Sequence, residues 1–191
     1  MFYFDPLYLV VMGVGLILSL WATGKVKMNL AKYSKLAAAS GLTGAQIANR
    51  ILQQQGISGV RVEPSRGGNF LGMKGDGILD DHYDPRDRTV RLSPQIFQGT
   101  SQAAVAIAAH EVGHAIQHAK GYGAFKLRSA MVPAAMLGSN FSYFLLFIGF
   151  ILQSMAMIKI GILLFAIAVA FQFVTLPVEF DASRRAKKLL F

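Results

Sequence analysis

The chain has 191 residues, 53% of them hydrophobic, no cysteine and a formal charge of +9 at pH 7, and its mean hydropathy is +0.44. So apolar a composition excludes an ordinary soluble domain of this length and predicts a membrane protein, while the lack of cysteine excludes disulfides and thiolate ligands. The basic residues cluster beside apolar segments instead of interleaving with aromatics, so they read as orientation signals and no nucleic-acid partner is expected.

Between Asp5 and Lys25 the stretch Pro6 to Gly24 carries no charge and is long enough to cross a bilayer as a helix, with Tyr8 and Trp21 near its two interfaces. It lacks a basic leader and a small-residue cleavage site, which favours a retained anchor over a cleaved signal. Lys25, Lys27, Lys32 and Lys35 follow and no Lys or Arg precedes, so the N-terminus is expected outside and the next segment in the cytoplasm. Val26, Leu30, Tyr33 and Ala37 recur at helical spacing, which predicts that the first helix continues and packs on the soluble part. Thr43-Gly44-Ala45-Gln46 fits a capping box, with Leu42 and Ile47 as its staple. The helix it opens should run to about Gln55 before Gly56 stops it, burying Ile47, Ile51 and Leu52.

From Gly59 to Ser93 the pattern changes to short alternating runs at Val60 and Val62, Ile78 and Leu79, and Val90 and Leu92, separated by Gly- and Asp-rich turns. A small antiparallel sheet is expected. Its last strand, Arg88 to Ser93, is either an internal strand or an edge able to pair with an extended peptide.

Thr100 or Ser101 can cap the next helix, five alanines between Ala103 and Ala109 favour it, and Gly121 can end it. It carries His110-Glu111-Val112-Gly113-His114. Two histidines four apart leave one face of a helix about a turn apart and can converge on one divalent ion. Glu111 beside that ion can take a proton from a water the ion has made acidic and later give it to a leaving amine, which is the chemistry of peptide hydrolysis. The alternative is a solvated helix face that binds nothing. Zinc is the expected ion, although two histidines and a carboxylate would also accept cobalt or manganese.

Beyond Lys126 and Arg128 an uncharged run extends from Ser129 to Ile158, and beyond Lys159 another from Ile160 to Val178. They predict a transmembrane hairpin with Lys159 at its outer turn, Pro177 at its exit, and Arg184, Arg185, Lys187 and Lys188 back in the cytoplasm. Glu179 then emerges on the same side as His110 and His114 and is the natural third ligand, with juxtamembrane solvation as the alternative. His118 lies two turns from His110, about 12 Å of rise, so it reads as a surface or supporting residue. Asp181 would leave a different helix face and is the candidate to orient one of the histidines. Donors for a developing oxyanion could come from His82, Tyr83, Arg184 or Arg185; His82 is favoured, against a loop from Asp80 to Asp87 locked by its own hydrogen bonds.

Several segments together resemble the YugP-type membrane-bound neutral zinc metallopeptidases: Gly77-Ile78-Leu79-Asp80-Asp81-His82-Tyr83-Asp84-Pro85-Arg86, Val90-Arg91-Leu92-Ser93, Ala109 to Gln117, and Glu179-Phe180-Asp181-Ala182-Ser183-Arg184-Arg185-Ala186. The resemblance implies a gluzincin-like peptidase with His110, His114 and Glu179 as zinc ligands and Glu111 as general base. The last segment also looks like the third-ligand helix of HtpX-like and prenyl-processing membrane peptidases, with Ser183 where those have Asp. Members of the family usually continue past the equivalent of Phe191 into a further apolar segment.

The expected protein is an α+β membrane protein with about three transmembrane helices and a small cytoplasmic zincin-like domain. It divides into an anchor (1–24), a cytoplasmic metallopeptidase domain (25–128), a transmembrane hairpin (129–178) and a cytoplasmic tail with the third ligand (179–191). The expected function is a zinc endopeptidase in a bacterial-type plasma membrane, its catalytic part cytoplasmic and its substrates membrane-associated polypeptides. Its partners would be the lipid bilayer and, in addition, a regulatory membrane protein. The alternative is a catalytically silent scaffold that binds partners through its sheet edge.

Overall fold

A computed structural model describes residues 6–65 and 81–190. Its elements in chain order are α1 (Pro6–Tyr33), α2 (Gly44–Gln54), β1 (Arg61–Pro64), β2 (His82–Asp84), β3 (Thr89–Leu92), α3 (Pro94–Gln98), α4 (Gln102–Ala119), α5 (Gly123–Ile151) and α6 (Met155–Leu190). Three of them, α1, α5 and α6, are long and apolar enough to cross a membrane.

The first helix continues past Gly24 as expected, yet none of its residues is buried. The stripe expected to pack on the soluble part does so only weakly: Leu30 is half-buried, whereas Val26 is 66% and Tyr33 40% exposed. The helix itself touches α4 slightly, and just beyond it the Gln102 amide donates to Leu36 O at 2.8 Å and the Ala38 amide to Thr100 O at 2.9 Å. The capping box of α2 forms as read from the sequence. Thr43 Oγ1 accepts from the Gln46 amide and Gln46 Oε1 from the Thr43 amide, and Gly56 takes a φ of +65° just past the helix end. Ile47, Ile51 and Leu52 are buried in a core that also holds Val112 and Ile116 of α4.

Among the described residues the sheet is three-stranded in the order β1-β3-β2 and mixed, which corrects the expectation of an antiparallel one. β2 and β3 form an antiparallel hairpin, whereas β1 lies on the other side of β3 and runs parallel to it. A parallel neighbour needs a long connection, and the chain between β1 and β2 supplies it. The hairpin turn is held by its own side chains: Asp84 Oδ1 accepts from the Arg86 amide, Arg91 pairs with Asp84 and Asp87, and Arg88 takes a φ of +53°. Because β3 has a strand on each side it offers no edge to a peptide. Among the described residues the exposed edge on the α4 side belongs to β2. The strand expected around Ile78 and Leu79 lies outside the described residues.

The helices α5 and α6 form the expected hairpin, packed through small residues. A Cβ on Gly138 would lie 2.6 Å from Leu164 O, and one on Gly161 would lie 2.9 Å from Leu146 Cγ, so the two backbones approach closely with no room for a side chain at either point. The turn falls at Leu152 to Ser154, with Gln153 at φ +50°, so Lys159 lies inside α6 and not in the turn. A charge marks where an apolar run is broken, but the turn forms where Gly149 lets the helices close on Ile158. Pro177, expected at the exit from the last span, lies inside a continuous helix. α6 runs through it to Leu190, and the segment carrying Glu179 is continuous with the membrane-length rod.

Candidate metal centre

The site is built where α4 crosses α6. Ser101 caps α4, its Oγ accepting from the Ala104 amide at 3.2 Å. The small side chains Ala104, Ala108 and Ala109 are buried and let the first half of the helix sit deep in the core. At the crossing, a Cβ on Gly113 would come within 2.9 Å of Ala182 O and 3.2 Å of Ala182 Cα. The glycine inside the His-Glu-Val-Gly-His run is thus what brings the two helices into contact.

That contact delivers Glu179 to the two histidines. Its Oε2 lies 3.1 Å from His110 Nε2 and 3.5 Å from His114 Nε2, and one ligand atom from each of the three residues falls within 4.8 Å of the others. Ligand atoms each about 2.0–2.1 Å from a shared tetrahedral zinc are about 3.3–3.5 Å apart, close to the distances of both imidazoles from Glu179. The far side of each imidazole is engaged as well. His114 Nδ1 bonds Gln117 Oε1 at 3.0 Å, and His110 Nδ1 meets Ser183 Oγ at 3.2 Å. Both Nε2 atoms are therefore the ones left to face an ion, and the donor set fits zinc on chemistry and on spacing.

Glu111 is buried beside this cluster. Burial pushes its carboxyl above the ordinary range, against the opposing pull of His114 and His110. For His110 burial disfavours the charged form, but the hydrogen bond to Glu179 and the charges of Glu111 and Glu179 outweigh it, and its pKa is raised. A cavity of about 250 Å³ opens over the cluster. It is lined by Asp81, His82 and Tyr83 of the β2 segment, by Arg128 and Glu179, and by His110, Glu111 and His114.

The remaining candidates separate cleanly. His118 does not approach the cluster; its Nδ1 bonds the Tyr83 hydroxyl at 2.8 Å. Asp181 touches neither imidazole directly, but its Oδ2 accepts from Gln117 Nε2 at 2.8 Å, so it reaches His114 through one intermediate residue. His82 lies on the cavity wall as β2 leads it there. Tyr83 also lines the wall, though its hydroxyl is turned to His118. Arg185 is committed to Asp181, its Nε donating to Oδ2 at 2.6 Å. Two residues that touch the ligands escape a reading of the sequence. Gln117 lies three positions beyond His114 on the same helix, a spacing that could have drawn notice. Arg128 reads as an orientation signal, yet its guanidinium lies 3.7 Å from Glu179 Oε1 and its Nε is buried with no hydrogen-bond partner.

Two imidazoles and a carboxylate gathered beside a buried glutamate, on a frame with three membrane-length helices, define a membrane metallopeptidase. Residues 8–191 match the family described as "Putative neutral zinc metallopeptidase", and the chain belongs to that family. It is 46% identical over 184 residues, 96% of this chain and 76% of the relative, to a Bacillus subtilis (strain 168) protein described as "Putative membrane protease YugP". No solved structure matches the chain.

Proposed function

We propose that the protein is a membrane-anchored zinc endopeptidase that hydrolyses polypeptides at the bilayer surface. The observation that carries this reading is the convergence of His110 Nε2, His114 Nε2 and Glu179 Oε2 at zinc-like spacing against the buried Glu111 carboxylate. Zinc, when bound, supplies Lewis acidity toward water and toward the peptide carbonyl. The three side chains would hold it, and Gln117 and Ser183 keep both imidazoles facing it.

Glu111 takes the proton of the attacking water on its carboxylate and hands it to the leaving amine nitrogen. Its raised affinity for a proton suits a group that must both accept and return one. His82, which also lines the cavity, is the proposed donor to the oxygen that gains charge. Among the described residues β2 is the edge strand that lines the cavity, and it replaces β3 as the proposed strand for pairing with an extended peptide.

Arg128 directly precedes the uncharged run that begins at Ser129, and Glu179 directly follows the run that ends at Val178. The cluster thus lies where the hairpin would enter the bilayer, which supports substrates held in or on the membrane. The distribution of Lys and Arg supports a cytoplasmic location for 25–128 and 179–191, with 1–24 as the anchor and 129–178 as the hairpin.

The test is cleavage of a membrane-bound polypeptide by the zinc-loaded, detergent-solubilised protein and by Glu111→Gln. The variant should keep its zinc and lose about 100-fold or more in turnover, the usual weight of a general base. Equal turnover by the two would remove Glu111 from the mechanism. Zinc binding without cleavage of any membrane polypeptide would favour the silent scaffold.

A further inference from the structure

The two halves of the site reach it from distant parts of the chain, with the whole α5–α6 hairpin between them, and ligand atoms must nonetheless meet within a few tenths of an ångström. The Gly113–Ala182 contact allows close approach, but small residues in van der Waals contact can slide along one another. Something directional must set how far along α6 the Glu179 carboxylate sits relative to His114. We infer that Gln117 is this positioning residue: one buried amide that orients His114 and registers α6 against α4. The inference rests on the zinc reading above and adds to it the group that assembles the site.

Gln117 is completely buried. Its Nε2 donates to Val178 O at 2.8 Å and to Asp181 Oδ2 at 2.8 Å, two acceptors that bracket Glu179 in sequence. Neither a carbonyl nor a carboxylate can donate, so they fix which end of the amide carries the hydrogens. The other end, Oε1, then faces His114 Nδ1 at 3.0 Å and can only accept. His114 Nδ1 must carry a proton, which in the neutral imidazole leaves the lone pair on Nε2. A single planar group thereby sets the tautomer and rotation of one ligand and the axial position of another. Asp181 is itself braced by Arg185, which completes a chain from ligand to surface.

The second imidazole is held differently. Ser183, which meets His110 Nδ1 at 3.2 Å, lies on an exposed face, where water can take over its hydrogen bond. Inside the core no water stands in for Gln117, and its loss leaves His114 Nδ1–H without its acceptor. The two supporting residues should therefore differ sharply in weight.

The experiment uses full-length, detergent-solubilised protein and reads two quantities: zinc affinity by competition with a chelator, and the visible absorption of the cobalt-substituted form. Gln117→Leu and Gln117→Glu should each weaken zinc binding by about 10–100-fold and alter the cobalt bands. Ser183→Ala should stay close to the unaltered protein in both. In Gln117→Glu the new carboxylate still accepts from His114 but confronts Val178 O and Asp181. Adding Asp181→Asn supplies a donor to it and should recover part of the lost affinity, a coupling that simple loss of folding would not produce. Zinc affinity and cobalt spectrum unchanged in both Gln117 variants would overturn the inference, as would a double variant that recovers nothing. If the unaltered protein bound no zinc, the metal reading itself would fall, and this inference with it.

Discussion

Of the two imidazoles His110 is the more exposed, its side chain 26% accessible against 7% for His114, and protons compete with an ion for it. In the metal-free protein burial lowers its pKa, but the Glu179 hydrogen bond and the neighbouring carboxylates raise it overall. The sign of two effects follows. Protonated His110 paired with Glu179 stabilises the metal-free fold, fully below the unfolded value near 6.5, and that stability is lost as pH rises through the raised folded value. Zinc binding runs the other way, because the ion must displace this proton. Chelator-competition titrations from about pH 6 to about pH 8 should show zinc affinity still climbing above pH 6.5, together with proton release. Affinity that levels off below the ordinary imidazole value would contradict the raised pKa. His110, Glu111 and His114 were legible from the sequence because their relation is local: three residues on one helix, with spacing fixed by the helix itself. Gln117 and Arg128 were not, because what they touch is set by the approach of α6, some sixty and fifty residues away in sequence.

At the scale of elements, local signals were legible and lateral ones were not. The capping box of α2 and the Ser101 cap of α4 depend on a few consecutive residues, and both form as read. The sheet depends on which strand lies beside which, and alternation of apolar residues carries no information on partner or direction. β3 therefore turned out central, and among the described residues β2 took the edge beside the cavity. The hairpin shows the same limit: Lys159 suggested the turn, whereas close packing at Gly149 placed it at Gln153. Its proposed orientation can be tested directly in a chain without cysteine. Gln153→Cys in intact cells should react with a membrane-impermeant maleimide, while Ser58→Cys should react only after lysis. The reverse pattern would put the cluster on the outer side and overturn the cytoplasmic reading.

Across the whole molecule, a long rod does two things. α6 is long and apolar enough to cross a membrane and continues without a break through Pro177 to present Glu179 to α4, so the position of the proposed third ligand is tied to the packing of the hairpin. Close contacts at Gly138 and Gly161 hold α6 in the hairpin, and the Gly113–Ala182 contact with Gln117 beside it holds the same helix at the cluster. The resemblance to a membrane peptidase family was legible from several motifs at once, and family membership follows from a match over residues 8–191. The claim on which everything else depends is that His110, His114 and Glu179 hold one ion between α4 and α6. Elemental analysis of the purified, detergent-solubilised protein tests it most directly, beside His114→Ala and Glu179→Ala. We predict about one zinc per chain in the unaltered protein and loss of most of it in each variant. Zinc-supplied protein that retained no metal, or variants that retained as much as the unaltered chain, would contradict it.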